Sequence, residues 1–237
     1  MIPRIIHYCW FGHDAMPELA LKCIESWHKF MPDYEYRLWN EDTFDINSFP
    51  YTQEAYNAGR FAFVSDVVRL VALYEYGGIY LDVDFEVYKT FDDLLSNKAF
   101  AGFEGSKYNP VMMGVIASES RGEWVFEQLN SYQGRHFIVG GKMDLTTNVK
   151  SISDRMQKHG FIPNGEEQVY KDLHIFPVDY FCPRLTTGEY FRTENTYCEH
   201  LGEDSSWAPK SILGIVLNRL NPMFKTRLIK LKRKILG

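Results

Sequence analysis

The sequence predicts an α/β fold in which helices flank a mainly parallel sheet. Segments typical of strands and helices alternate as β-α-β-α-β up to residue 87, the order found in parallel sheets with crossover helices. The chain has 237 residues, 45% of them apolar, so it can bury one large core. Because no repeat or low-complexity linker divides it, we expect one domain over 1–210 and an appended tail over 211–237.

The first elements follow from hydrophobic periodicity. A short apolar, β-rich run predicts a strand over 4–11, and apolar residues at helical spacing predict a helix over 17–31. Alternation over 34–39 indicates a second strand. The segment 60–76 is apolar on nearly every face, which indicates a buried helix that ends at Gly77.

The later elements carry weaker signals. A third strand is predicted over 79–87, directly after the buried helix. Beyond residue 100 the pattern favours a strand over 111–117 and helices over 121–132 and 147–160. The segment 173–183 reads as a strand that runs into a loop.

Charge and cysteine content exclude several classes of protein. The formal charge is −5, and six Lys and Arg with no acidic residue fall in 222–237, which leaves the rest at −11. A body this acidic is unsuited to nucleic acid. The four cysteines have no CxxC spacing and the chain opens without a signal-peptide pattern, so we expect reduced thiols in a cytoplasmic protein. No apolar run of about 18 residues predicts a membrane span.

The tail has the pattern of a basic amphipathic helix that Pro222 kinks or divides. One stripe of large apolar residues recurs at spacings of three and four: Leu213, Leu217, Leu220, Phe224, Leu228, Leu231 and Ile235. Such a helix can lie in an anionic membrane interface, which predicts a peripheral membrane protein. The alternative is a helix packed on the acidic body.

Two aspartates one residue apart form the main chemical motif. If 79–87 is one strand, Tyr80, Asp82, Asp84 and Glu86 share a face, because alternate side chains of a strand do so. Three acids on one face need a cation, and oxygen ligands suit Mg²⁺ or Mn²⁺. A solvated turn is the alternative reading.

Other polar residues stand out against apolar surroundings. Asp66 and Arg69 are three apart on the predicted buried helix, where they could form a buried pair with spare hydrogen-bonding capacity rather than a surface ion pair. Trp10 ends the first strand, where it could face a ligand or join the core. His7 is expected to be structural.

Several segments together resemble a known family. They are "IPRIIHYCWFG", "LKCIESWHKFMPDYEYRLWNED", "FVSDVVRLVALYEYGGIYLDVDFEV", "PVDYFCP" and "TENTYCEHLGEDSSW". They are similar, over residues 2–210, to bacterial capsular-polysaccharide transferases of glycosyltransferase family 32, the family with a sugar-binding D-x-D region. The large clostridial glucosylating toxins are more distantly similar. The resemblance implies a GT-A fold, a nucleotide-sugar donor with UDP favoured, Mn²⁺ or Mg²⁺, and retention of anomeric configuration.

The resemblance also implies roles for residues near the D-x-D motif. Asp84 matches the direct metal ligand, and Asp82 matches a residue that contacts ribose and supports the metal. Tyr80 matches a donor-contacting tyrosine. Asp66 and Arg69 match residues that bind the donor sugar.

For the nucleotide, Trp10 matches the tryptophan that stacks on the base, and backbone groups of Cys9 and Phe11 match those that pair with its edge. Asn40 matches a ribose or base contact.

The C-terminal motif departs from the family pattern. His200 is expected to be a third metal ligand, but capsular members carry two adjacent histidines and Leu201 replaces the second. Ser206 and Trp207 match residues that contact the β-phosphate and close the site as a flap.

We therefore expect a retaining, metal-dependent glycosyltransferase that moves a hexose or N-acetylhexosamine to a saccharide or lipid-linked acceptor in surface-polysaccharide synthesis. One alternative is a toxin-like protein glycosyltransferase. A D-x-D phosphohydrolase would place the pair on the first strand, with Thr or Val in place of Glu86. A sugar- or calcium-binding module would not explain Asp66, Arg69 and Trp10 together.

Overall fold

The structure, a computed structural model, describes residues 1–105, 110–184 and 189–202. The predicted flap residues Ser206 and Trp207 and the whole predicted tail lie outside these ranges.

Seven strands form the central sheet. In chain order they are β1 (Ile5–Cys9), β2 (Glu35–Trp39), β3 (Gly78–Leu81), β5 (Ala99–Phe103), β6 (Val111–Ser118), β9 (Gln168–Tyr170) and β10 (Leu173–Phe176). Their order across the sheet is β2-β1-β3-β6-β5-β10-β9. Two strand pairs lie apart from it: β4 (Phe85–Val87) with β11 (Cys198–His200), and β7 (Ile138–Val139) with β8 (Lys142–Met143).

Five helices are α1 (Glu18–Phe30), α2 (Pro50–Asn57), α3 (Phe61–Tyr76), α4 (Glu123–Asn130) and α5 (Asn148–Gln157). Single 3₁₀ turns occur at Ile46–Ser48, Asp92–Leu94 and Val178–Tyr180.

The sheet is mixed but mostly parallel. β2, β1 and β3 are parallel neighbours, and β5 and β10 run the same way. Only β6 and β9, among the sheet's strands in the described residues, run in the opposite direction. The predicted α/β class is confirmed, as are the elements predicted before the third strand, to within a few residues at each end.

The predicted third strand over 79–87 is wrong beyond Leu81. The chain turns after β3, where the amide of Phe85 donates to the carbonyl of Asp82 at 3.1 Å, and then enters β4. β4 pairs with β11 in a separate two-stranded sheet. The alternation that placed Asp82, Asp84 and Glu86 on one strand face therefore does not apply.

The junction between α3 and β3 explains the Gly-Gly pair. Gly77 ends the helix with φ of 66°, a left-handed conformation that favours glycine, and its amide donates to Leu73. A Cβ on Gly78 would lie 2.6 Å from the carbonyl oxygen of Ile5. Glycine thus lets β3 pair closely with β1.

Two apolar layers cover the sheet. Side chains of α2, α3, α4 and α5 pack in one core cluster, and side chains of α1, β4 and β11 pack in the other. The buried helix predicted over 60–76 is confirmed, with ten buried side chains on α3. Burial of these apolar side chains provides the main driving force for folding.

His7 is structural in the described fold. Its side chain is fully buried, Nε2 lies 2.8 Å from the carbonyl oxygen of Gly77, and Nδ1 accepts from the indole of Trp39 at 3.1 Å. These partners fit the neutral ring, with the proton on Nε2. Burial lowers the pKa of His7 to about 4.

The four cysteines are buried free thiols in the structure: Cys9, Cys23, Cys182 and Cys198. Among the described residues, no helix combines the length and the apolar content that crossing a membrane requires.

Candidate functional site

Three predicted donor-site residues follow the ends of adjacent parallel strands. Asn40 follows β2, Trp10 follows β1 and Asp82 follows β3, and these strands are neighbours in the sheet. The carboxyl edge of such a sheet is where α/β proteins bind ligands. The topology therefore brings together residues separated by up to 72 positions in the chain.

The D-x-D motif occupies the tight turn between β3 and β4. The amide of Asp82 donates to the carbonyl of Gly114 at 2.8 Å before the chain reverses. A Cβ on Gly114 would lie 2.5 Å from the ring of Phe85 and 3.0 Å from Oδ2 of Asp82. Glycine in β6 thus makes room for the turn that presents both aspartates.

Asp82 is held by two side chains. The hydroxyl of Tyr80 donates to Oδ1 at 2.7 Å, and Nη1 of Arg69 lies 3.3 Å from Oδ2. Burial raises the pKa of the Asp82 carboxyl, Arg69 opposes this and Asp84 adds to it. Asp82 is thus fixed in position.

Arg69 contacts several residues of the site. Nη2 lies 3.1 Å from Asp66, Nη1 donates to the carbonyl of Met113 at 2.5 Å, and Nε donates to the carbonyl of Ser65 at 3.2 Å. Its guanidinium carbon lies 4.5 Å from the ring centre of Tyr80. Asp66 and Arg69 are 8% and 5% exposed, so the predicted pair on the buried helix forms and is not a surface ion pair.

Burial raises the pKa of Asp66 to about 7, although Arg69 opposes this shift. The carboxyl of Asp66 is therefore costly to ionise and is paired with a single cation among the described residues. A buried carboxyl with one cationic partner favours a ligand that supplies further hydrogen bonds.

Asp84 meets His200 across the β4–β11 pair. Nε2 of His200 lies 2.9 Å from Oδ2 of Asp84, and the imidazole stacks on Phe85 with ring centres 4.9 Å apart. Burial opposes the charge on His200, but the bond to Asp84 outweighs it and the pKa of His200 is raised. The structure thus brings two predicted metal ligands together from positions 116 residues apart.

The Asp84–His200 pair fits a divalent cation. Oδ1 of Asp84 is buried without a hydrogen-bond partner in the described part of the chain. A Cβ on Gly202 would lie 2.3 Å from Oδ2 of Asp84 and 2.9 Å from Nε2 of His200, so glycine leaves this space open. A carboxylate and an imidazole suit Mn²⁺.

The third predicted ligand is arranged differently. Residues 1–105, 110–184 and 189–202 contain no cluster of three His, Cys, Asp or Glu that could hold a metal ion. Asp82, whose oxygens contact Tyr80 and Arg69, does not complete such a cluster with Asp84 and His200. Oxygens of a bound phosphate and water would have to complete the coordination.

The predicted nucleotide residues differ in exposure. Trp10 is partly exposed, and its indole donates to the carbonyl of Asp14 at 2.6 Å. The side chains of Cys9 and Phe11 are buried, so only their backbone could reach a base. Oδ1 of Asn40 accepts from the amide of Asp42 at 3.0 Å and so stabilises the turn after β2.

Sequence reasoning missed two contributions to this edge. Glu104 follows β5, where burial raises the pKa of its carboxyl and His200 opposes the shift. The Met113 carbonyl binds Arg69. Neither can be identified from the sequence, because a single glutamate and a backbone oxygen form no recognisable motif.

A family model matches the central part of this region. Residues 17–101 match the glycosyltransferase sugar-binding region containing DXD motif. The matched range includes Asp66, Arg69, Asp82 and Asp84. It leaves out Trp10 and His200.

Several curated proteins of related sequence are glycosyltransferases by name. Inositol phosphoceramide mannosyltransferase 3 of Schizosaccharomyces pombe is 38% identical over 107 residues, which cover 42% of this chain and 29% of that protein. Uncharacterized glycosyltransferase L373 of Acanthamoeba polyphaga mimivirus is 26% identical over 226 residues, covering 88% and 85%. The chain spans less than half the length of the fungal mannosyltransferases that it matches.

Among solved structures, a glycosyltransferase involved in glycosylation of the major capsid of PBCV-1 aligns with a TM-score of 0.48 and 10% identity. The alignment covers 86% of this chain and 95% of that one.

Proposed function

We propose that this chain, a relative of the glycosyltransferases with a DXD-containing sugar-binding region, is a retaining, metal-dependent glycosyltransferase. It transfers a hexose or N-acetylhexosamine from a nucleotide-sugar to a saccharide or lipid-linked acceptor. The glycosyltransferase class rests on the family match over 17–101. Retention of the anomeric configuration, the identity of the donor and the identity of the acceptor are proposed in addition to that class.

The observation that carries the proposal is the difference between the hydrogen-bond partners of Asp82 and those of Asp84. Asp82 is fixed by Arg69 and Tyr80, whereas Asp84 turns to His200 and keeps one buried oxygen without a described partner. The first aspartate is held for orientation and the second is left for a ligand. A turn stabilised only for folding would not leave that oxygen unpaired.

Asp84 and His200 are the residues that would hold Mn²⁺ or Mg²⁺. When bound, the cation would neutralise the charge of the departing nucleoside diphosphate. Arg69 keeps Asp82 in place for contact with ribose, and Trp10 offers its partly exposed ring to the base. Asp66 and Arg69 would hold the sugar by hydrogen bonds that strengthen in a buried site.

The acceptor is proposed to be lipid-linked or a saccharide, in bacterial surface-polysaccharide synthesis. Relatives whose names specify inositol phosphoceramide as acceptor support a lipid-linked acceptor. The basic amphipathic pattern of 211–237 supports peripheral binding at the inner, anionic face of the cell membrane.

A thermal-shift panel with UDP, GDP, Mn²⁺ and Ca²⁺ tests the proposal. We expect a nucleoside diphosphate to raise the melting temperature with Mn²⁺ and to have little effect without it, because binding to the folded state stabilises it. A donor-hydrolysis screen over UDP- and GDP-sugars then identifies the sugar.

Two outcomes would overturn the proposal. Stabilisation by Ca²⁺ alone, with no effect of nucleotides, would indicate a binding module. Hydrolysis of phosphate monoesters without transfer or hydrolysis of any nucleotide-sugar would indicate a phosphohydrolase.

A further inference from the structure

The loop that carries Trp10 turns back on itself directly after β1. The indole of Trp10 donates to the carbonyl of Asp14 at 2.6 Å, so the ring is tied to the backbone of the loop 10–14. Gly12 has φ of 103° and His13 has φ of 61°, which are left-handed conformations. Because a left-handed residue with a Cβ costs energy, contacts from other elements are needed to keep the loop in this shape.

Glu41 supplies one of these contacts from the neighbouring strand. It is the second residue after β2, and its Oε1 accepts from the amide of Gly12 at 2.6 Å. The two residues are 29 positions apart in the chain and meet because β1 and β2 are parallel neighbours. A hydrogen bond from an amide to a carboxylate is stronger than one between neutral groups. Glu41 thus fixes the middle of the loop by its backbone.

The carboxylate of Glu41 is itself held by α2. The hydroxyl of Tyr56 donates to the same Oε1 at 2.9 Å, and the side chain of Glu41 is only 15% exposed. Burial opposes the charge on Glu41, but the amide of Gly12, its own amide and the hydroxyl of Tyr56 outweigh it, and the pKa of Glu41 is lowered. Glu41 is therefore ionised at neutral pH and fixed in position.

Phe61 makes a second contact with the loop. A Cβ on Gly12 would lie 2.3 Å from the ring of Phe61, so this ring packs directly against the loop backbone. Phe61 is the first residue of α3, and its ring centre lies 5.3 Å from that of Tyr56. The shape of the loop thus depends on a hydrogen bond from Glu41 and on a packing contact that only glycine at position 12 allows.

We infer that Glu41 is a positioning residue that holds the loop 10–14 in the shape that presents Trp10 to the base of the nucleotide-sugar. The inference rests on the proposed function, which assigns the base to Trp10. Stacking requires a ring at a fixed place and angle, and the bond between the Trp10 indole and the Asp14 carbonyl couples the ring to the loop backbone. Glu41 acts through Trp10 rather than on the ligand itself.

The test measures nucleotide affinity in variants of Glu41. Calorimetry with Mn²⁺ gives Kd for UDP and for GDP in the unaltered protein, in Glu41→Ala and in Glu41→Gln. We expect Glu41→Ala to raise Kd by about 5-fold or more, the lower end of what stacking of a base on an aromatic ring contributes. Glu41→Gln keeps an acceptor oxygen for Gly12 but loses the charge, so its Kd should lie between those of the other two proteins.

A double-variant cycle with Trp10→Ala separates positioning from a purely structural role. Once the indole is absent, the loop has no ring to present, so adding Glu41→Ala to Trp10→Ala should leave Kd unchanged. Glu35→Ala is the matched control. Glu35 lies on the same strand β2 and forms a surface ion pair with Arg37, and its loss should not alter Kd.

Tyr56→Phe gives an independent test that does not require Glu41→Ala to fold. This variant keeps the ring beside Phe61 and removes only the hydroxyl that donates to Glu41. We expect Kd for the nucleotide to rise by about 2-fold or more, because the carboxylate loses one of its hydrogen bonds.

The outcomes separate the role of Glu41 from the proposed function. Normal nucleotide binding by the unaltered protein, with Kd unchanged in Glu41→Ala and in Tyr56→Phe, would overturn the positioning role alone. An equal loss in Glu35→Ala would do the same. Weakening of Trp10→Ala by Glu41→Ala to the full extent seen in the unaltered protein would show that Glu41 acts independently of Trp10. No binding of UDP or GDP by the unaltered protein would overturn the proposed function and the positioning role with it.

Discussion

Arg69 on α3 contacts Asp82 in the turn after β3, with Nη1 3.3 Å from Oδ2. The same guanidinium lies 3.1 Å from Asp66, so one cation links the buried helix pair to the D-x-D motif. The helix pair and the D-x-D motif are recognised separately in the sequence, and the fold joins them in one site.

Arg69→Ala should abolish sugar transfer and destabilise the fold. It leaves the carboxyls of Asp66 and Asp82 and the carbonyl of Met113 without their shared cation, which should lower the free energy of unfolding by roughly 3–5 kcal/mol. Urea denaturation measures this loss. Arg4→Ala, which breaks an exposed ion pair with Asp92, is the control and should change little. A variant that melts like the unaltered protein and still transfers sugar would contradict the role of Arg69.

Asp84→Asn should remove Mn²⁺ binding and donor turnover while leaving the fold intact. The oxygen left without a partner in the described structure belongs to this side chain, and the amide lacks the charge that a cation requires. Electron paramagnetic resonance of free Mn²⁺ measures binding. Asp154→Asn makes the same chemical change in an exposed ion pair with Lys150 and should have no effect. Turnover like that of the unaltered protein at ordinary Mn²⁺ concentration would refute the metal site.

His200→Ala should weaken Mn²⁺ binding by about 10-fold or more, the range seen even when outer partners of a metal ligand are lost. Asp84 remains in this variant, so residual binding is expected. The same resonance titration applies, with His28→Ala as the control on the exposed surface of α1. Equal Mn²⁺ affinity in the two variants would show that the imidazole pairs with Asp84 without serving as a ligand.

His7 should make stability depend on pH in the acid range. The pKa of His7 is about 4 in the fold and near 6.5 when unfolded, so the unfolded chain binds the proton first. Stability is therefore lost as pH falls from about 6.5 to 4, by about 3 kcal/mol. His7→Gln should reduce this loss in urea titrations at several pH values. An unchanged slope would contradict a buried neutral imidazole.

Deletion of 222–237 should abolish co-sedimentation with anionic liposomes and spare donor hydrolysis. The segment carries six basic residues and no acid, and each adds about 1 kcal/mol near an anionic surface. Neutral liposomes are the control and should bind neither protein. Equal binding of full-length and shortened chains to anionic liposomes, or binding by neither, would indicate that the segment packs on the body.

The local patterns of the sequence determined much of the fold. The apolar run of α3, the Gly77 end and the strands before it follow from periodicity and backbone preference, which act within a few residues. The pairing of Asp66 with Arg69 follows likewise from helical geometry, since residues three apart share a face.

Only the tertiary structure decided the arrangement of the D-x-D turn. Sequence alternation predicted one strand, but Asp82 bonds Gly114, 32 residues away, and β4 pairs with β11, more than 100 residues away. The bond between Asp84 and His200 depends on the same kind of long-range packing. Periodicity reports which face of an element is buried, but not which distant element covers it, because many partners of similar apolarity would satisfy the same pattern.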